Sequence, residues 1–279
     1  MKNMKIDAHQ HFWKYTPETH PWITDDLAVI KKDFFPEDLE KELKKTGFDG
    51  CISVQASQTL EENDFLLGLA KSNKFIKGVV GWVDLQSPEV EDQLYKYANE
   101  KKFVGVRHVV QDEPDDNFLL RENFLKGVNQ LHRFDLTYDI LTFPKHLKVA
   151  SKFVSKFPDQ KFVLDHISKP FIKDGKISPW DEDIKELSKF ENVSCKLSGM
   201  VTEANWNNWT KSDFKPYLDT ILEAFGTERL MIGSDWPVCK LSGDYEEVME
   251  IVTDYIGSLS KLEQKQILGE NAIEFYGLS

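Results

Sequence analysis

Two histidines stand one residue apart near the start of the chain, in IDAHQH at residues 6–11. Far along the sequence, the apolar run in RLMIGSDWP at 229–237 ends in Asp235. Because successive residues of a strand alternate sides, His9 and His11 are expected on one face. Two imidazoles and a carboxylate that meet in space can activate a water molecule or hold a divalent metal. The fold decides whether they meet.

Eight short apolar segments recur along the chain and predict strands. They lack the polar alternation of a half-exposed sheet, which is typical of strands buried on both faces. The segments are KIDAH (5–9), GCISVQ (50–55), KGVVGWVDL (77–85), FVGVRHVV (103–110), LTYDILT (136–142), KFVLDHI (161–167), NVSCKLSG (192–199) and RLMIGSD (229–235).

Amphipathic segments between these strands predict helices. Residues 34–47 show the pattern clearly, with Pro36 early, acidic residues in the first turn, lysines in the last and Gly47 as a stop. The other predicted helices cover 61–73, 87–100, 123–134, 143–158, 183–190, 212–226 and 260–277.

Eight strand–helix units with no linker predict an α/β fold, a single-domain (β/α)8 (TIM) barrel over residues 1–279. No GxGxxG or GxxxxGK follows a predicted strand, which disfavours the rival doubly wound sheet. In a closed barrel the first and eighth strands are neighbours, and active sites lie at the carboxyl ends of the strands. The barrel therefore predicts that His9, His11 and Asp235 meet.

Composition and charge indicate which classes of binding partner to expect. Lysine and arginine number 35 and aspartate and glutamate 47, which gives a formal net charge of −12. An acidic surface repels nucleic-acid phosphates and anionic lipids, so we expect no nucleic acid and no membrane partner, and a small-molecule substrate instead. Aromatic residues on the predicted loops are suited to a subunit interface, so a homodimer remains one of the alternatives.

The N-terminus and the cysteines indicate a compartment. No apolar run approaches 18 residues, and the first residues lack the apolar segment of a secretory signal. The three cysteines form no CxxC pair and are expected to be buried, reduced thiols. These features predict a cytoplasmic location.

The motifs together resemble the amidohydrolase superfamily, in particular the amidohydrolase 2 branch and its sugar-acid lactonases, typified by L-fuconolactone and L-rhamnonolactone hydrolases. The His-x-His pair and the late aspartate occur across the superfamily, whereas GVRH-VQ-EPD, DHISKP and KLSG are specific to the branch. The likeness runs in order through IDAHQHFW (6–13), PWI (21–23), GVRHVVQDEPD (105–115), LDHISKP (164–170), CKLSGM (195–200), LMIGSDWPVC (230–239) and ENAIEFYG (270–277).

The resemblance implies a hydrolase that opens a sugar-acid lactone with water activated on Asp235 as general base. It implies that His9, His11 and His166 line the site, as metal ligands or as hydrogen-bond donors to the lactone. Lactone opening also needs a donor for the developing oxyanion and a proton for the leaving alkoxide.

Substrate contacts are implied for five further residues. Sugar C–H faces pack well on indole, so tryptophans near the predicted strand ends are candidates. Lys169 either supports an oxyanion or is an ordinary loop lysine. The five residues are Arg107, His108, Trp13, Trp236 and Lys169.

Adjacent residues on a strand point to opposite faces, which affects two pairs of candidate site residues. Asp165 and His166 are adjacent on a predicted strand, so only one is expected to point inward, and the same holds for Arg107 and His108. In the KLSG motif, Lys196 and Ser198 face the pocket together or stabilise the barrel floor. His20, His132 and His146 lie on predicted loops or helix surfaces and are expected to be exposed.

The residues on the predicted strands bear on whether the site holds a metal and on how many ions it could hold. Predicted strand four offers no lysine or glutamate and strand five has Asp139 but no histidine, which disfavours a binuclear centre. One zinc held by His9, His11 and Asp235, with His166 as a further ligand, stays open because three protein ligands and a water form a catalytic zinc site. The resemblance to lactonases favours turnover with no required cofactor.

Two rival activities of the same branch remain. A metal-dependent decarboxylase is expected to carry a histidine on strand five, which this chain lacks. A lactonase for an aromatic dicarboxylate needs more cations than Arg107 supplies. A sugar-binding protein without catalysis would need no general base at Asp235. The polar segment 202–214 either covers the site or is a surface insertion.

Overall fold

Eight parallel strands form the centre of the computed structural model, which describes residues 4–206 and 208–278. Each strand pairs in parallel with the next along the chain. The predicted (β/α)8 barrel and its eight strands are confirmed. The strands are β1 (Ile6–Gln10), β2 (Gly50–Val54), β3 (Ile76–Gly81), β4 (Phe103–Val109), β5 (Thr137–Leu141), β6 (Phe162–Leu164), β7 (Val193–Leu197) and β8 (Leu230–Ile232).

Helices follow the strands in the outer layer. In the described residues, no helix is both long and apolar enough to cross a bilayer. Residues 266–270 form a π-helical segment between the last two α-helices. The α-helices are α1 (Pro36–Thr46), α2 (Leu60–Ser72), α3 (Val90–Ala98), α4 (Glu122–Val128), α5 (Leu147–Val154), α6 (Trp180–Ser188), α7 (Lys211–Phe225), α8 (Tyr245–Tyr255), α9 (Lys261–Lys265) and α10 (Asn271–Tyr276).

Helix α8 was absent from the sequence-based helix predictions. It begins with a reciprocal cap, in which Asp244 accepts the Glu247 N–H at 2.9 Å and Glu247 accepts the Asp244 N–H at 3.0 Å. Its buried face includes Val248 and Val252 at the i, i+4 spacing that helices use to pack. The cap and the spacing were both readable from the sequence.

Apolar side chains pack in two groups. The larger group fills the layer between strands and helices, and it includes all three cysteines, which are buried and free. A smaller group joins Ile52, Val80, Val163 and Met231 of the strands to Tyr276 of α10. The last helix therefore packs against the barrel strands.

The barrel closes between β1 and β8 at the carboxyl ends of the two strands. The Asp235 N–H donates to the His9 carbonyl at 2.8 Å, and the His11 N–H donates to the Trp236 carbonyl at 2.6 Å. These two bonds bring the His-x-His segment and the late aspartate together, as the barrel topology predicts.

The Asp7 carboxylate supports this closure from inside the protein. It is fully buried and accepts the Ser234 N–H at 2.9 Å, the Ser234 hydroxyl at 2.6 Å and the Tyr245 hydroxyl at 3.1 Å. The His9 N–H donates to it at 3.1 Å. One carboxylate thus connects β1, the turn after β8 and helix α8.

Asp7→Ala is expected to lower the free energy of unfolding by about 3 kcal/mol or more, because buried donors on Ser234 and Tyr245 lose their acceptor. Asp7→Asn keeps one acceptor oxygen and is expected to lose less. Urea unfolding followed by circular dichroism measures both, with the exposed Asp92→Ala as a control expected within about 0.5 kcal/mol of wild type. A loss for Asp7→Ala no larger than the control would contradict this role.

Candidate active site

A cavity of about 620 Å³ opens at the carboxyl ends of the strands. This volume is typical of small-molecule sites. Its floor contains His11, Arg107, His166 and Asp235. The loops after β1, β2 and β4 supply most of its walls. The wall residues are Glu18, Thr19, Pro21, Trp22, Ala56, Ser57, Gln58, Thr59, Val109, Gln111, Asp112, Glu113, Leu141, Lys169 and Val238.

Three imidazoles surround one oxygen of Asp235. Its Oδ1 lies 3.3 Å from Nε2 of His11, 3.7 Å from Nε2 of His166 and 3.9 Å from Nε2 of His9. All four residues are buried, and His9 lies behind the other three without lining the cavity. The four predicted catalytic residues therefore form one cluster.

The tautomer of His11 follows from its backbone partner. Its Nδ1 lies 2.8 Å from the Val54 carbonyl, which can only accept, so Nδ1 carries the proton. In the neutral ring, Nε2 then presents a lone pair to Asp235 Oδ1. Two lone pairs at 3.3 Å repel each other, so this gap suits a shared proton, a water or a cation.

Charge at the cluster follows from burial. Burial lowers the pKa of both His9 and His166, and nearby cations lower that of His9 further, so both rings are neutral at pH 7. Burial alone would raise the pKa of Asp235, but His166, His11 and the Lys169 ammonium favour its carboxylate. The Asp235 pKa falls below its usual value, so its carboxylate is the ionised base of the cluster.

Arg107 lines the cavity floor, yet its N–H groups are used within the protein. Nε and Nη2 donate to Gln55 Oε1 at 3.2 and 2.8 Å, and Nη2 also donates to the Gln55 carbonyl. Nη1 donates to Asp165 Oδ2 at 3.1 Å and lies 3.2 Å from His9 Nε2. Five contacts account for the five donors of a guanidinium, so the geometry favours positioning of neighbours over substrate contact.

A second buried cation lies beneath His9. Lys196 Nζ is 2.5 Å from Asp139 and 3.1 Å from Asp165, and it lies 3.2 Å from His9 Nδ1. The Tyr276 hydroxyl also donates to Asp139, at 3.1 Å. Two cations, Lys196 and Arg107, thereby balance two buried carboxylates, as buried charges require. Two roles were left open for Lys196, and the structure places it in the barrel floor and outside the cavity lining.

The chain after β6 follows an unusual path. His166, Ile167, Ser168 and Lys169 all have positive φ, between 48° and 58°. Left-handed backbone costs about 1–2 kcal/mol per residue, so surrounding contacts must hold it. The Trp180 indole donates to the Ile167 carbonyl at 2.8 Å. The Ser168 hydroxyl lies 3.0 Å from that of Thr142.

This path corrects one expectation. Strand β6 ends at Leu164, so the rule that neighbours point to opposite faces does not apply to Asp165 and His166. Both point into the barrel, Asp165 toward Arg107 and His166 toward Asp235. His166 Nδ1 lies 2.9 Å from the Ser198 hydroxyl, which gives Ser198 its place beside the site.

Known proteins resemble this chain over nearly its whole length. The amidohydrolase family Amidohydro_2 matches residues 6–278. The chain belongs to this amidohydrolase family. The resemblance to the amidohydrolase 2 branch is thereby confirmed.

Two curated relatives of this amidohydrolase are named L-fucono-1,5-lactonase. That of Burkholderia multivorans is 36% identical, with 100% of this chain and 97% of the relative aligned. That of Burkholderia ambifaria is 34% identical, with 98% and 95% aligned. A crystal structure of a Burkholderia multivorans amidohydrolase with bound zinc superposes with a TM-score of 0.95 at 36% identity, and covers 99% of this chain and 100% of the other.

The residues of this amidohydrolase fit one divalent metal ion. His9, His11 and Asp235 offer ligand atoms within 4.8 Å of one another, and imidazole nitrogen with carboxylate oxygen is a set that zinc uses. A second group, His9, Asp165 and His166, shares His9 with the first. The Lys196 ammonium contacts both His9 and Asp165, so a second cation there would meet a positive charge.

Three predicted substrate-binding residues lie outside the cavity lining. His108 faces the helices, because it alternates with Arg107 on β4; its Nε2 lies 2.7 Å from Glu113, and its ring stacks on Phe118. The buried Trp13 indole donates to the Lys32 carbonyl at 2.8 Å. The side chains of His108 and Trp13, like that of the buried Trp236, lie in the layers around the cavity and do not line it.

The ring of Trp236 packs edge-to-face on Phe34, with 5.2 Å between ring centroids. Two histidines expected to be exposed are also buried, His20 at 4% and His146 at 0% exposed. Burial lowers the pKa of His20 to about 4, so it is neutral. The expected exposure was wrong because both rings fold onto nearby residues: His20 packs on Trp13 with 5.6 Å between ring centroids, and His146 Nδ1 accepts the Phe143 N–H at 3.1 Å.

Several residues of the site escaped sequence analysis. Gln55 directly follows β2 and holds Arg107, and Gln111 follows β4 and lines the cavity. A polar residue just past a buried strand is the signal that would have found both, since that end of the barrel carries the site. Glu62 of α2 lies outside the cavity lining and supports the loop after β2, because its Oε1 accepts the Ala56 N–H at 2.7 Å; its position on a helix gave no signal of this role.

Glu62→Gln is expected to change how stability depends on pH. Burial raises the pKa of Glu62 from 4.5 to about 7, so folding takes up a proton and wild-type stability falls as pH rises between these values. Relative to Glu62→Gln, wild type is expected to lose up to about 3 kcal/mol between pH 4.5 and 7. Urea unfolding of both proteins across this pH range measures the difference between their free energies of unfolding. A difference that does not change with pH would contradict the raised pKa of Glu62.

Proposed function

We propose that this amidohydrolase opens a sugar-acid (aldono) lactone, such as L-fuconolactone or L-rhamnonolactone, with water activated on Asp235. The main observation is the ionised Asp235 carboxylate, buried among three imidazoles on the floor of a small-molecule cavity. The lactonase names of two full-length relatives support the same chemistry.

Water that lies beside Asp235 would give it a proton while its oxygen attacks the lactone carbonyl carbon. The bond from that carbon to the ring oxygen then breaks, and the proton on Asp235 passes to the departing ring oxygen. His11 and His166 line the cavity and orient the water and the substrate. His9 lies behind them, where its Nε2 accepts a hydrogen bond from Arg107 and keeps that guanidinium in place.

Lys169 is the cation proposed to stabilise the oxyanion. It lines the cavity, and within the described chain its ammonium forms no ion pair at contact distance, although its charge acts on the carboxyl groups of Glu203 and Asp235. A free ammonium near a buried reaction centre stabilises charge that develops on the carbonyl oxygen. Arg107 cannot serve as readily, because its donors are occupied.

A single divalent ion would fit His9, His11 and Asp235, and when bound it would polarise the lactone carbonyl or lower the pKa of water. We propose that turnover does not require it. Asp235 is already ionised, and Lys169 already supplies a positive charge to the site.

The charge of the cavity walls favours a neutral substrate. Three carboxyl residues, Glu18, Asp112 and Glu113, line the walls together with Lys169. An aromatic dicarboxylate would bring two more negative charges into this surface, which disfavours that rival. Hydroxyl groups of a sugar lactone can donate to the same carboxylates.

Asp235→Asn is expected to lower kcat about a thousandfold or more, because the base is lost while the shape is kept. Proton release, followed with a pH indicator, measures hydrolysis of fresh L-fucono-, L-rhamnono-, D-arabinono- and D-galactonolactones. Asp112→Asn, on the cavity wall, is the matched control and is expected to keep kcat within about tenfold. Near-normal turnover by Asp235→Asn would overturn the mechanism.

Removal of metal is expected to leave the rate unchanged. The protein is dialysed against a chelator and assayed on the same lactones, with zinc added back in a parallel sample. Activity that disappears with the chelator and returns with zinc would assign His9, His11 and Asp235 to a required metal. A protein that binds the sugars but hydrolyses none of the four lactones would refute the proposed function.

A further inference from the structure

One aromatic side chain is exposed inside the cavity. Among the described residues, five large apolar side chains are exposed, and of these only Trp22 lines the cavity, with 37% of its surface accessible. An exposed indole in a concave site is a common platform for ligand binding. Trp13 and Trp236 cannot offer such a surface because both are buried.

The Trp22 ring is held in a fixed position by its neighbours. It packs edge-to-face on Trp13, with ring centroids 5.7 Å apart and planes at 87°. Trp13 in turn packs on Phe34 and donates to the Lys32 carbonyl. The Trp22 carbonyl accepts the Thr24 N–H at 3.2 Å. A platform ordered before binding loses little entropy when the ligand arrives.

The other walls of the cavity are rich in acceptors. Glu18, Asp112 and Glu113 carry carboxyl groups, and Gln111 lines the same space. A ligand that fits these walls therefore needs hydrogen-bond donors for the carboxylates and an apolar face for the indole. A sugar satisfies both demands, with hydroxyl donors for the acceptors and C–H faces for the indole.

We propose that Trp22 determines specificity by packing against a C–H face of the sugar portion of the lactone. This inference rests on the proposed function and adds the residue that recognises the sugar. Trp22 belongs to the loop after β1, whereas the reacting groups lie on the cavity floor. It therefore contributes binding energy that is equal in the ground and transition states, which raises affinity and leaves the chemical step alone.

Trp22→Ala is expected to raise KM for the best lactone about tenfold with kcat within about twofold, because binding is lost while the chemistry is kept. Trp22→Phe keeps an aromatic face, so its KM is expected to lie between those of wild type and Trp22→Ala. The inhibition constant of the matching alditol, L-fucitol for L-fuconolactone, is expected to rise in parallel. Tyr95→Ala removes a 67% exposed aromatic side chain from α3, outside the cavity, and is expected to match wild type.

The outcomes separate the two proposals. If wild type hydrolyses lactones but Trp22→Ala keeps its KM and its inhibition constant, the specificity role is wrong and the lactonase function stands. A loss confined to kcat would also overturn it, since a platform for the sugar acts on binding. If wild type hydrolyses no lactone, the proposed function fails and this inference fails with it.

Discussion

Two main-chain hydrogen bonds, from Asp235 to His9 and from His11 to Trp236, close the barrel between β1 and β8. The same residues carry the candidate chemistry, so the bonds that complete the fold also set the distances in the site. Asp7 strengthens this closure by joining β1 to the turn after β8 and to α8. Any disturbance of the closure therefore reaches the base and its imidazoles at once.

Beneath that closure, the barrel interior holds a group of buried charges in addition to the smaller apolar group. Arg107 and Lys196 face Asp139 and Asp165, and His9 lies between the two cations. Buried ions cost free energy unless they are paired and hydrogen-bonded, and here the pairing extends across four strands or their ends. The directional hydrogen bonds of this arrangement fix the orientation of the side chains that surround His9.

Sequence patterns predicted the barrel, its eight strands and the meeting of His9, His11 and Asp235, because period and topology determine them. They failed where the backbone leaves regular geometry. The left-handed path after Leu164 turns both Asp165 and His166 inward, and no alternation rule contains it. The occupied donors of Arg107 and the burial of Trp236 depend on partners far away in the chain, which residue type alone does not reveal.

The full use of the Arg107 donors has a consequence for how this site can diversify. A single change at Gln55, Asp165 or His9 leaves a buried N–H without an acceptor, so the floor can change only through coordinated substitutions. Wall residues such as Glu18 and Trp22 belong to a separate loop and carry no such constraint. New ligand preferences can therefore arise one mutation at a time above an interior that stays as it is.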